Sequence, residues 1–184
     1  MLGMFMRRIL SSFWETGRIA IIALLFAVAV RAFIFQPFLV RGTSMEPNFH
    51  HGDYLIIDEI SYRLQDPERG EVVVFRYPHD LSQRYIKRVV GLPGETVEVQ
   101  DGKITISGSS ADPQTFTLDE DRYLAGGNTE GALRVKLGGN EYFVLGDNRM
   151  FSSDSRIWGS LPRKDIIGKV FLRIFPEFVY GKEI

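Results

Sequence analysis

Apolar residues run from Ile19 to Val30 without a charge, then resume past Arg31 through Ala32-Phe33-Ile34-Phe35 to Pro37-Phe38-Leu39-Val40. As a helix, the seventeen residues from Ile19 to Phe35 would reach roughly 25 Å at about 1.5 Å per residue, the lower limit for crossing a bilayer. Arg31 stands near the far end, where a long side chain snorkels to the interface. Downstream of residue 40 the pattern changes to short runs rich in β-branched and aromatic residues, separated by turn formers. Tyr54 to Ile57, Glu71 to Arg76, Tyr85 to Val90, Thr96 to Gln100, Lys103 to Ser107, Tyr142 to Leu145 and Lys169 to Phe175 read as strands. Asp101-Gly102, between two alternating runs, predicts a type I′ hairpin, which needs positive φ at both central positions. Residues 107 to 140 carry Gly108-Ser109-Ser110, Gly126-Gly127-Asn128 and Gly138-Gly139-Asn140, a turn-and-ribbon composition that predicts a peripheral excursion. Together these patterns predict a mainly β fold: an antiparallel, partly closed β-sheet domain with an N-terminal transmembrane helix.

Charge gives the apolar segment a direction. Residues 1 to 40 hold four arginines and one glutamate, a net +3, so the rest of a chain of net charge −1 carries −4. Arg7, Arg8 and Arg18 precede the span, so the positive-inside rule places residues 1–18 in the cytoplasm, 19–35 in the membrane and 36–184 outside the cytoplasm. A cleavable signal peptide also fits a basic start and the small-x-small Ala27-Val28-Ala29. Against it, apolar character returns directly after Arg31 with no polar stretch beside the alanines. A buried core helix is a third reading, opposed by the arginine flanks and the terminal position. With 184 residues and 45% apolar content, one substantial core is expected. Lysine plus arginine (22) nearly balance aspartate plus glutamate (23), so the basic excess of a nucleic-acid binder is missing. The absence of cysteine excludes disulfide staples, thiolate catalysis and cysteine-rich zinc sites.

Three segments could carry chemistry. Ser44 lies in Arg41-Gly42-Thr43-Ser44-Met45-Glu46-Pro47, where Gly42 permits close backbone approach and Pro47 stiffens the chain beyond the hydroxyl. Such a serine is also what an ordinary turn contains. Lys87 sits within an apolar strand, with Tyr85 and Val89 on its own face and Ile86 and Val90 on the other. Apolar neighbours are what a neutral lysine requires, although a solvent-facing edge lysine that guards against aggregation fits the same pattern. The third segment, Gly146-Asp147-Asn148-Arg149-Met150-Phe151-Ser152-Ser153-Asp154-Ser155-Arg156, suits either a loop that orients a catalytic group or a capped turn with a surface ion pair.

Taken in order, these segments resemble the bacterial type I signal peptidases, membrane-bound Ser/Lys leader peptidases. The resemblance covers nearly the whole chain: the N-terminal anchor, Gly42 to Pro47, Gly52-Asp53, Arg84 to Glu95, and Gly146 to Arg149 with Ser153 to Arg156. It implies a catalytic domain in 36–184, with Ser44 as nucleophile and Lys87 as general base. It further implies that Ser152 hydrogen-bonds and orients the lysine, that Asp147, Asp154 and Arg156 support the loop, and that the Ser44 backbone N–H donates to the oxyanion. Val40, Met45, Phe49, Tyr85 and Ile86 match positions that wall shallow pockets for small substrate residues beside an extended peptide. The chain departs from the family at Gly42, where some relatives carry a serine that supplies a second oxyanion donor. Met150-Phe151 is another departure, since many relatives are polar there.

The implied partners are signal-peptide-bearing preproteins and the lipid bilayer, with no nucleic acid, metal or organic cofactor; the export machinery stays open as a partner. Two other readings remain. A self-cleaving repressor-type Ser/Lys peptidase shares the catalytic pair, but the anchor and the lack of a preceding DNA-binding helical domain oppose it. A tethered β binding module would have Ser44 and Lys87 that never meet. His50, His51 and His79 show no pairing with Ser44 that would suggest a histidine triad.

Overall fold

The computed structural model describes residues 14–25, 35–108, 113–124, 129–175 and 179–180. The chain divides into two units, residues 1–36 and 37–184. In the first, residues 14–25 form helix α1 with every side chain exposed. No helix among the described residues is long and apolar enough to cross a membrane. Residues 26–34, half of the expected 19–35 span, lie outside the described residues, as do 1–13. At its far end the expectation is corrected: strand β1 already occupies Phe35–Leu39. Pro37 accounts for this, because its ring fixes φ, removes an N–H donor and biases Gln36 toward extended backbone.

The second unit is mainly antiparallel β. Strands β2 (Tyr54–Asp58), β3 (Val72–Tyr77), β4 (Asp80–Gly91), β9 (Glu141–Leu145), β10 (Leu161–Pro162) and β11 (Ile166–Phe175) join β1 in a sheet of order β1-β2-β11-β3-β4-β9-β10. A short β12 (Val179–Tyr180) pairs with β11. This order is an open path, so the expected partial closure is not found among the described strands. The β10 end stops after two residues at Pro162, which has no N–H to donate to a further strand.

The central run Val72-Val73-Val74-Phe75 is buried on both faces. Val72 and Val74 join Val40, Met45, Phe49, Leu55 and Ile86 in one core cluster, whereas Val73 and Phe75 join Val89, Tyr142, Val144 and Trp158 in another. A near-continuous apolar run is what a strand covered on both faces requires. Short helices α2 (Ser61–Leu64) and α3 (Ser155–Trp158) carry Tyr62 and Trp158 into the second cluster.

Beyond Gly91 the chain builds a second sheet, β7 (Thr115–Thr117), β6 (Lys103–Ser107), β5 (Thr96–Gln100), β8 (Leu133–Lys136), in that spatial order. The β5–β6 turn has Asp101 at φ 51° and Gly102 at φ 77°, as the hairpin expectation requires. The excursion expected at 107–140 contains β7 and β8, which flank this hairpin, so the outlying sheet begins at Thr96. One face of it, Val97, Val99, Ile104 and Ile106, packs with Val90, Phe143 and Leu145 of the large sheet.

Gly91 stands at that junction. A Cβ there would come within 2.5 Å of Val97 Cγ2 and 2.9 Å of both Leu137 Cδ1 and Phe143 Cβ. Gly91→Ala is therefore expected to destabilise the protein by about 1–3 kcal/mol through overpacking. Denaturant unfolding of the variant beside wild type checks this, and an unchanged midpoint would show that the two sheets have slack between them.

Candidate active site

Ser44 lies on the loop between β1 and β2. The loop is closed at its base by Val40 N donating to Asp53 O (2.9 Å) and Gly52 N donating to Val40 O (3.0 Å). Met45 and Phe49, 1% and 0% exposed, sink into the core and leave the half-buried Ser44 at the surface of the sheet. Gly42, at φ 95°, makes the turn before it. Asn148 fastens the loop from the other side, its backbone N–H donating to Ser44 O (3.0 Å) and its Nδ2 to Thr43 O (3.2 Å).

Lys87 comes from the middle of β4 and is 4% exposed. Its Nζ donates to Ser44 Oγ at 2.8 Å and to Ile86 O at 2.9 Å, and lies 5.6 Å from the centroid of the Tyr85 ring. Tyr85 is itself stacked on Tyr77, with centroids 4.8 Å apart. Burial brings the Lys87 ammonium down from 10.5 to about 8, with Asp154 and Asp147 pulling the other way. An amine so placed is half neutral near pH 8 and can accept a proton there. The alternative in which the serine and the lysine never meet does not fit the 2.8 Å contact.

Two carboxylates hold the loop beyond β9, and both are neutralised by arginine. Asp147 takes a bidentate contact from Arg88, Nε to Oδ1 at 2.8 Å and Nη2 to Oδ2 at 2.7 Å, with a third donor in Asn48 Nδ2 at 2.8 Å. Both side chains of this ion pair are buried, 4% and 0% exposed. Asp154 caps α3, accepts from Gly146 N (3.1 Å), and pairs with Arg156 through Nε (2.8 Å) and Nη2 (3.0 Å). Arg156 Nη2 also donates to Arg149 O (2.6 Å), and Arg149 Nε donates to Gly146 O (2.9 Å). The loop is thus bonded across itself rather than held by packing alone.

Ser152 departs from the expectation drawn from the resemblance. Its Oγ is buried and makes no hydrogen bond among the described residues, to Lys87 or to any other group. It sits tightly against Gly146, where an added Cβ would fall 2.2 Å from Ser152 Oγ and 2.5 Å from Ser44 O.

A cavity of about 780 Å³ opens over Ser44 and Lys87. Of the five residues expected to wall substrate pockets, Tyr85 and Ile86 line it. Val40, Met45 and Phe49 belong instead to the buried core cluster that also contains Ile86. Phe38, Leu39, Arg41 and Phe151 complete much of the rim. Of the histidines, His51 Nδ1 accepts from Gly42 N (3.2 Å), and His79 Nε2 lies 3.4 Å from Trp158 O.

The sequence reading missed Asn48, Arg88, Asn148 and Arg149 as site residues. All four stand in or beside the segments it singled out, but an arginine next to a lysine on a strand reads as solvated surface. The partner that buries Arg88 is 59 residues away.

The signal peptidase, peptidase S26, family profile matches residues 13–175. The chain is 39% identical over 167 residues to "Probable signal peptidase I-2" of Synechocystis sp., covering 88% of this chain and 73% of that relative. It is 36% identical over 170 residues to signal peptidase I of Bacillus amyloliquefaciens, covering 90% and 87%. A crystal structure of a signal peptidase I from Enterococcus faecalis matches at 30% identity with a TM-score of 0.48, covering 58% of this chain and 97% of that one.

Removing one member of the Arg88–Asp147 pair leaves the other charge buried without this counter-charge. Asp147→Leu alone is expected to lower the unfolding free energy by about 3–5 kcal/mol, and adding Arg88→Met to it to recover most of that loss. Denaturant titrations of the two single variants and the double variant form the cycle; simple additivity would show that the pair is not coupled.

Proposed function

The chain belongs to the signal peptidase family, peptidase S26, and from that premise we propose that it is a serine endopeptidase that removes signal peptides from exported preproteins through a Ser44/Lys87 dyad. The observation that carries the dyad is the 2.8 Å contact between Lys87 Nζ and Ser44 Oγ, made by an amine that burial has brought down to about 8. With the amine neutral, the Ser44 O–H turns its proton toward Nζ. Lys87 accepts that proton as Oγ attacks the scissile carbonyl, and the Ser44 backbone N–H donates to the oxygen that becomes negative. Collapse of the tetrahedral intermediate breaks the C–N bond. The leaving amine takes the proton from Lys87, and the signal peptide remains as an ester on Ser44. Lys87 then deprotonates a water, which hydrolyses the ester and restores the serine.

The surrounding residues take supporting roles. Asp147, Asp154 and Arg156 hold the loop, whereas Ser152, whose Oγ makes no hydrogen bond among the described residues, would orient the lysine only after turning its hydroxyl toward Nζ. The N–H of Gly42 is already given to His51, so it is not the second oxyanion donor. Substrate lies along β4 as an added strand. Among the described strands β9 pairs with β4 only at Arg88, Val89 and Gly91, which leaves the edge beside Ser82 to Lys87 open along the cavity. Tyr85 and Ile86 face the small side chains of the substrate, with Val40, Met45 and Phe49 as their backing.

The apolar segment from Ile19 up to the start of β1 serves as a single-pass anchor, with residues 1–18 in the cytoplasm and the catalytic domain from β1 onward outside it; Arg7, Arg8 and Arg18 support this orientation. The partners are signal-peptide-bearing preproteins and the bilayer itself.

The deciding experiment incubates the detergent-solubilised protein with a preprotein bearing an Ala-x-Ala site, beside Ser44→Ala, and maps the new N-terminus by mass spectrometry. Cleavage after the second alanine by wild type alone is expected; no cleavage by either folded protein would leave an inactive member of the family. The rate follows from the lysine. Its neutral form is the base, so kcat is expected to rise with pH through a midpoint near 8, and a flat profile from pH 6 to 9 would exclude Lys87 as the base.

Stability depends on the same group. The folded value lies below the ordinary 10.5, so stability climbs between about pH 8 and 10.5, where only the unfolded lysine retains its proton. Lys87→Met removes that penalty: it is expected to abolish cleavage without lowering Tm at pH 7. Turnover retained by the folded variant would overturn the assignment.

A further inference from the structure

Arg149 has more donors than its own loop uses. Nε holds Gly146 O, while Nη1 reaches Glu120 Oε2 (3.0 Å) and Thr129 Oγ1, and Nη2 reaches Glu120 Oε1. The Arg149 side chain is 2% exposed and that of Glu120 11% exposed. Glu120 belongs to the outlying sheet's segment after β7, far in sequence from the loop it touches. It opens a turn, with Tyr123 N donating to Glu120 O (3.1 Å). Tyr123 also donates its hydroxyl to Glu120 Oε1 (3.1 Å), lays its ring 4.4 Å from the Arg88 guanidinium, and offers its carbonyl to Asn48 Nδ2 (2.9 Å). Residues 120 to 123 therefore meet both arginines behind the Ser44/Lys87 site.

We propose that Glu120 is a positioning residue for the Ser44/Lys87 pair, acting through Arg149 to fix the backbone of Gly146. The proposal rests on the peptidase reading above. Its physical content is a chain of contacts without slack. Glu120 supplies the counter-charge that lets a buried guanidinium stay in place, since an unpaired buried charge would draw in water or swing outward. Arg149 in turn holds Gly146 O. Gly146 presses so closely on Ser44 O and Ser152 Oγ that no methyl group fits between them. A shift of Gly146 is thereby passed to the carbonyl of the nucleophile itself, and to the neighbouring Asn148 N–H that donates to it. Small displacements of reacting groups reduce rates steeply, whereas an extended peptide added to β4 draws its main-chain hydrogen bonds from the strand edge and not from Gly146.

If Glu120 only staples the outlying sheet to the large one, its loss lowers Tm and nothing else. The test uses the full chain in detergent, with Glu120→Gln, Glu120→Asp and Thr129→Val assayed on the preprotein well below their melting temperatures. In parallel the Lys87 titration is followed by NMR of lysine-labelled protein. Glu120→Gln is expected to lower kcat by about tenfold or more with KM within about twofold, and to move the Lys87 midpoint upward from about 8. Glu120→Asp should restore most of the rate, and Thr129→Val should give a smaller loss of the same kind. Wild-type kcat and an unmoved Lys87 midpoint in Glu120→Gln, with or without a lower Tm, would overturn the proposal. If Glu120→Gln does not fold, Thr129→Val decides by the same two readouts. Failure of wild type to cleave would instead sink the peptidase reading, and the Lys87 midpoint would still report whether Glu120 positions the pair.

Discussion

An amine buried in a β-sheet is a standing electrostatic cost, and the second unit of this protein is arranged around tolerating it. Lys87 sits at 4% exposure on the longest strand, its ammonium weakened by burial and its Nζ turned to a serine hydroxyl and a backbone carbonyl. Water admitted to this position would restore the ordinary basicity of the group. The neighbouring Tyr77–Tyr85 stack and the clamped loop beyond β9 therefore matter for the burial of the amine as much as for shape.

Two aspartates near a lysine would ordinarily restore its charge. Here each is already committed: Asp147 to Arg88 and Asn48, Asp154 to Arg156 and a backbone N–H. Burial still outweighs them in setting the lysine's basicity. The arginines thus do two things at once. They cross-brace the loop, and they keep its carboxylates from acting as free negative charges beside the amine.

Much of this was legible in the chain because the deciding signals are local. Lys87 among valines, the turn at Asp101-Gly102 and the doubly buried Val72 to Phe75 each state their environment in a few residues. The first half of β4 was missed because Ser82-Gln83-Arg84 have no apolar alternation; the stretch is strand through pairing with β3 at Asp80 and Arg84. β7 and β8 escaped for a similar reason, being short and joined to a hairpin that can be recognised without them. Pro37 was the local sign that extended backbone begins before Val40, and the apolar run around it hid that sign. The arginine partners were not legible at all, since Arg88 to Asp147 and Arg149 to Glu120 link residues 59 and 29 positions apart. Met45 and Phe49 look the same in sequence whether they face a pocket or the core.

The open edge of β4 has a consequence for the protein as a colloid. A strand with unpaired N–H and C=O groups accepts any extended chain of suitable shape, including the same edge of another copy. Ser82, Gln83 and Arg84 are exposed along this stretch, and an arginine there sets like charge against like charge whenever two copies approach edge to edge. The polar character that concealed this strand in the sequence thus works against edge-to-edge pairing of two copies, while a neutral peptide meets no such repulsion.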